Sequence, residues 1–183
     1  MYYKLINDQD PTRGYIAKVK NKHITLQTGN VVTKDEISAL TLPWPFSLNP
    51  GFHELNLIDY YGSAKLMSKK FIDTLKSVGV DNLQTFEADI TNKKTGEKVE
   101  DYYAVNIVGL VSCVVEDQST STPLADVEYI FDLVIDLVRV KGFNIFRLAE
   151  TRIDVVVSEK VANAIKAGNF TGIELEPIKE ISN

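Results

Sequence analysis

Between Ser68 and Ile90 the spacing of apolar side chains changes from that of a helix to that of a strand, and this switch limits the available folds more than any other feature. Phe71, Leu75 and Val78 fall at i, i+4 and i+7, one face of a helix. Ser68 stands where an N-cap belongs, and Gly79 supplies the left-handed residue that ends many helices. From Gln84 the period becomes two: Phe86, Ala88 and Ile90 alternate with Glu87 and Asp89. Asn92–Glu97 is a polar turn, and Tyr102–Val115 resumes strand composition, so Gln84–Val115 is expected to form one long antiparallel hairpin. A similar sequence of signals closes the chain. Ile153–Val157 is strand-like, Ser158 is placed to cap a helix with Glu159 in its first turn, Val161, Ala164 and Ile165 form the helix face, and Gly168 ends it. Ser68–Lys76 aligns with Ser158–Lys166, with Ser, Lys, two apolar residues and Lys at matching offsets, the pattern of a weak internal duplication.

The remaining segments are short and strand-rich. Tyr2–Ile6, Tyr15–Val19 and Ile24–Gln27 are strand candidates separated by Asn, Asp, Pro and Gly. Thr33 to Glu36 has the form of a capping box before a short helix that would bury Ile37 and Leu40. Leu42–Gly51 contains Pro43, Pro45 and Pro50, which remove three backbone donors, and it is expected to be irregular. Glu128–Val140 alternates as a single strand, with Phe131, Leu133, Ile135 and Leu137 on one face and Asp132 and Asp136 on the other. Two carboxylates at that spacing on a strand lie about 13 Å apart, too far for an acid–base pair. Long βαβ alternation is missing, which argues against a doubly wound nucleotide fold. The expected fold is α+β: one compact domain over residues 1–183, an antiparallel or mixed sheet, and two or three flanking helices. Those at 69–78 and 159–167 should pack on one side of the sheet. Residues 1–60 are a candidate N-terminal lobe and 61–183 the core.

Charge and motifs then narrow the function. The 20 basic and 25 acidic residues leave a net charge of −5, unsuited to neutralising nucleic-acid phosphates and better matched to a basic partner. No apolar run approaches the ~18 residues of a membrane span. Met1-Tyr2-Tyr3-Lys4 lacks the pattern of a secretion signal, and the single cysteine, Cys113, forms no internal disulfide; a cytoplasmic location is expected. His23 and His53 are the only histidines, and neither they nor Cys113 occur at metal-ligand spacing. Glycine-rich phosphate loops and a Gly-x-Ser-x-Gly elbow are absent. Cys113, inside Val111–Val115, reads as a buried small hydrophobe. No catalytic residue, cofactor or metal is therefore assigned. The contact candidates are Glu116, Asp117, Asp126 and Glu128, acids flanking the polar Glu116–Asp126 loop, and Trp44, an aromatic between two prolines that serves either as a core plug or as a binding residue.

The order of several phrases carries a resemblance. Leu66–Phe71 leads to Phe86–Ile90 and to Tyr103–Ile107. Ile145-Phe146-Arg147-Leu148-Ala149-Glu150, Val155–Val161 and Thr171–Ile178 follow. Over about residues 60–180 the chain resembles the eleventh immunity-protein family of bacterial polymorphic toxin systems, formerly a domain of unknown function. That resemblance implies a non-catalytic protein that binds and neutralises a cognate toxin made by the same cell. Two rivals stand beside it. One is a module that self-associates through a sheet edge. The other is a carboxylate- or metal-dependent enzyme, which requires several of Asp126, Glu128, Asp132, Asp136, His23 and His53 to line one deep pocket.

Overall fold

The computed structural model of the 183-residue chain describes residues 1–8, 15–18, 26, 28–49, 57–92, 94–124, 127–140 and 142–182. The first half contains β1 (Tyr2–Asn7), β2 (Tyr15–Lys18), α1 (Lys34–Ser38), β3 (Trp44–Asn49), β4 (Tyr60–Tyr61), β5 (Leu66–Ser68), α2 (Lys69–Ser77), β6 (Leu83–Asn92), β7 (Lys98–Val99) and β8 (Tyr102–Ile107). The second half contains β9 (Leu110–Val111), β10 (Thr120–Leu124), β11 (Val127–Asp132), β12 (Val134–Asp136), α3 (Leu137–Val140), β13 (Ile145–Leu148), β14 (Val155–Ser158), α4 (Glu159–Ala167), β15 (Ile173–Pro177) and β16 (Lys179–Ile181). The fold is α+β with mixed sheets, and strand outweighs helix.

Two larger sheets take the place of the single sheet expected. One has five strands in the order β15-β1-β14-β13-β9; the other runs β2-β3-β6-β8-β5-β4, with β7 paired to β6. β10–β11 and β12–β16 form separate two-stranded sheets. In the second large sheet, β5 and β6 are joined by α2 and both run antiparallel to β8, which lies between them. In the first, β14 and β15 are joined by α4 and both run antiparallel to the intervening β1. The two aligned segments therefore occupy the same place in two split β-α-β units. Phe71, Ile72 and Leu75 are buried in one helix, and Val161, Ala162 and Ile165 at the matching offsets in the other. The middle strand of the second unit comes from the other end of the chain, which ties the first residues into the sheet.

α2 and α4 pack against each other and bury these residues in one core with Val105 and Ile107 of β8 and Val155 and Val157 of β14. Val156, on the opposite face of β14, joins a second core with Cys113, Ile135, Phe146 and Leu148. β14 is buried on both faces, hence its unbroken Val-Val-Val run. A third core holds Trp44, Phe46, Leu66, Phe86 and Ile90.

Local signals hold where the partner group is near in sequence. Ser68 Oγ accepts from the Phe71 amide at 3.1 Å. Thr33 and Glu36 complete their capping box, and the bonds from Thr33 hold the Glu36 carboxyl below its ordinary range. Ile37 and Leu40 are half-buried rather than core, because α1 is only five residues long. Ser158 occupies the N-cap position, but its hydroxyl donates to Asn144 Oδ1 at 3.0 Å instead of capping. Gly168 has φ −81°, and the left-handed residue is Asn169 at φ +48°. Gly168 is needed for another reason: a Cβ there would meet the Phe170 ring at 2.1 Å.

Further expectations fail. Within Leu42–Gly51, Trp44–Asn49 is strand β3, parallel to β6. Pro45 stands within this ladder, opposite Asp89 of β6, and the described part of β2 pairs with Phe46–Asn49. The Gln84–Val115 hairpin ends at Ile107, and Leu110–Val111 leaves to pair in parallel with β13 of the other sheet. Glu128–Val140 is not one strand. It breaks at Leu133, β12 pairs in parallel with β16, and α3 follows. Among the described residues four helices form instead of two or three, and the unexpected one is α3, four residues long. Of Ile24–Gln27 only Leu26 is described, in a turn.

Candidate partner-binding surface

Trp44 is wholly buried, its ring tilted against Phe86 with centroids 5.8 Å apart. It presents no surface to a partner: the β3–β6 ladder turns its side chain into the core. Glu116 and Asp117 are exposed in the turn that precedes β10. Glu128 lies in β11, and Asp126, His23 and His53 lie outside the described residues. Asp132 and Asp136 do not form a pair. Asp132 is exposed at the end of β11, while Asp136 is buried and starts α3, accepting from the Val138 amide at 2.9 Å and pairing with Arg139 at 3.2 Å.

Cys113 and Ser68 are committed to structure. Burial, with Glu150 nearby, pushes the Cys113 thiol up to about 12, so it is not a thiolate near neutral pH. Ser68 Oγ both caps α2 and donates to Asp59 Oδ1 at 2.7 Å. Asp59 in turn accepts from the Thr171 amide and hydroxyl at 2.9 and 3.1 Å, clamping the start of α2 to the turn before β15. Among the described residues, no group of three or more His, Cys, Asp or Glu side chains is placed to hold a metal ion. A shallow groove of about 640 Å³ runs along α2 past Lys69, Asp73 and Asp101. It adjoins another of about 470 Å³ beside Glu87, Asp89 and Tyr102. Two of the acids there pair with cations, Asp73 with Lys69 and Asp89 with Lys98.

The β10–β11 ribbon presents a different surface. Its register slips between Thr120 and Ser121: Thr120 faces Asp132 and Ser121 faces Ile130. Phe131 is thus the extra residue of a bulge, and bulges redirect side chains. Tyr129 and Phe131 are 47% and 46% exposed, whereas Ile130 between them is buried. Lys4 of β1 seats the ribbon. Its ammonium donates to the Ile130 carbonyl at 3.2 Å, pairs with Asp154 at 3.0 Å and lies 5.2 Å from the Tyr129 ring centre. Beside the bulge a cleft of about 50 Å³ opens between Phe131 and Asp132 on one wall and Glu176, Pro177 and Lys179 on the other.

Sequence reasoning missed Lys4, because no local pattern marks a lysine for burial beneath a distant ribbon. It also missed Arg147, which is buried and reaches the carbonyls of Leu26, Arg152 and Ile153 at 3.3 to 3.5 Å. Glu150 Oε1 accepts from Ser112 Oγ and the Val114 amide at 3.0 and 3.1 Å, fastening the chain after β9. Gly172 sits at φ +80°, where a Cβ would lie 2.5 Å from Ile58 Cδ1. The phrases around Arg147, Glu150 and Gly172 thus encode how the pieces lock together, which explains why their order is distinctive.

No helix among the described residues is long and apolar enough to cross a membrane. No curated protein matches the chain significantly. The sequence profile of the Immunity protein family (Imm11) matches residues 7–180, nearly the whole chain and well beyond the segment that carried the initial resemblance. This chain belongs to the Imm11 immunity protein family.

Proposed function

We propose that this protein is a non-catalytic, cytoplasmic immunity protein that neutralises one cognate toxin by forming a stoichiometric complex with it. The family match over residues 7–180 carries this reading. The buried thiol and the fully engaged Ser68 hydroxyl support it, since both groups serve the fold. The mechanism is occlusion: the protein covers the toxin's active site or a surface the toxin needs, and affinity resides in a few well-buried anchor residues. The net charge of −5 favours a basic partner by speeding encounter more than by strengthening the final contact. The test is co-expression with the toxin domain encoded by the adjacent gene. Growth rescue and a complex of fixed stoichiometry on a sizing column are expected. Absence of both refutes the assignment.

A further inference from the structure

We propose that the β10–β11 ribbon, with the cleft it makes against β15 and β16, is the surface that docks the toxin, and that an arginine or lysine of the toxin enters between Phe131, Asp132 and Glu176. The proposal rests on the immunity reading and names its contact face. Half-exposed aromatic residues are the side chains most enriched at energetic centres of interfaces. Tyr129 and Phe131 are such residues, projected from a ribbon that belongs to neither large sheet. Phe131 continues the outward alternation of Tyr129 at the mouth of the cleft, and after the bulge Asp132 is exposed beside it. The cleft is too small for an organic ligand but accepts the end of one side chain. Its walls pair an aromatic ring with two carboxylates, the combination that holds a cation by cation–π contact and charge-assisted hydrogen bonds. Two lysines, Lys4 and Lys179, also line the cleft; Lys4 is already paired with Asp154, and Lys179 is exposed at the wall.

The charges also select the occupant. Glu116 and Asp117 lie at the foot of the ribbon, close to Asp132, because Thr120 faces Asp132 and Ser119 bonds the Val134 backbone. A second copy of this chain docking by two-fold symmetry would bring these acids against one another. A basic segment would instead complement them.

The experiment measures binding of the purified full-length chain to the catalytically inactivated toxin domain from the adjacent gene. In a Y129A/F131A variant the complex should weaken by at least about thirtyfold, mostly through faster dissociation. In a D132N/E176Q variant association should slow about tenfold at low salt, and the difference should shrink as salt screens the charges. An E87Q/D89N variant, altering the groove beside β6, should bind within about twofold of wild type. Circular dichroism and urea midpoints establish that each variant is folded; all the altered side chains are at least partly exposed. Folded ribbon variants that bind within about threefold of wild type overturn the proposal. So does a dimer of the free protein that dissociates in F131A. If wild type itself fails to bind, the immunity reading falls and takes this surface with it, an outcome distinct from normal binding by the ribbon variants.

Discussion

Removing the Lys4 ammonium by Lys4→Met should destabilise the protein by about 3 kcal/mol, the low end of the cost of breaking a buried ion pair. Lys4 and Asp154 side chains are only 10% and 11% exposed, and their charged atoms are 3.0 Å apart. Without Lys4, one Asp154 oxygen loses its cation while the other is already buried with no hydrogen-bond partner, and the Ile130 carbonyl loses its donor. Asp154→Leu strands the ammonium in the same way and should cost a similar amount. The double variant Lys4→Met/Asp154→Leu leaves no charge behind and also removes the unsatisfied oxygen. It should recover to within about 1 kcal/mol of wild type, giving a coupling of several kcal/mol. Urea denaturation of the four proteins supplies the cycle, and each single variant should melt about 6–12 °C lower. The double variant should nonetheless protect less well against the toxin, because the Ile130 carbonyl and the Tyr129 ring then lose their contacts with Lys4 of β1; limited proteolysis should cut the β10–β11 ribbon sooner than in wild type. Single variants that each cost under about 1 kcal/mol would show that solvent reaches the pair and would refute the reasoning.

Other outcomes follow from particular contacts. Gly172→Ala should cost more than about 2 kcal/mol by urea denaturation, since φ is +80° and the new Cβ would press on Ile58 and the Tyr60 carbonyl. Gly96→Ala, at φ +77° in open space, should cost only the conformational share, about 1 kcal/mol. The Cys113 thiol should resist a thiol reagent in the native protein and react on unfolding. Its folded pKa is raised from an ordinary value near 9 to about 12, so its contribution to stability is fully present below pH 9 and is lost as pH rises towards 12. At pH 10.5 the loss is about 2 kcal/mol, a component that Cys113→Ala should remove from the pH dependence of the urea midpoint. Buried Tyr60, its phenol also pushed up to about 12, adds loss in the same direction.

The candidate surface was legible only in part. Glu116 and Asp117 lie near the surface proposed above, but the positions of the residues at its centre were misread. An unbroken alternation put Phe131 with Leu133 and Ile135 on a buried face. Leu133 and Ile135 are buried as expected, but Phe131 is exposed in phase with Tyr129, because the bulge opposite Thr120 and Ser121 and the break at Leu133 shift the alternation between them. A one-residue irregularity reverses every side chain beyond it, and nothing in a period-two pattern announces where it falls. Of the two readings of Trp44 the core plug is the one its burial fits; Pro45 suggested an irregular loop, and only pairing with the distant β6 shows that a strand forms there.

The sequence alone determined the elements whose stabilising partners lie within a few residues: the capped start of α1, the faces of α2 and α4, the β6–β8 alternation, and the ordered phrases by which the family is recognised. Tertiary structure decided the division into two sheets, the seat of the β10–β11 ribbon, and the burial of Lys4 and Arg147. Those features depend on groups distant in sequence, such as Lys4 with Ile130 and Asp154, or Arg147 with Leu26. Helix caps and periodicities are set by backbone geometry over one or two turns, whereas strand pairing and charge burial are settled only when separate segments compete for the same partners.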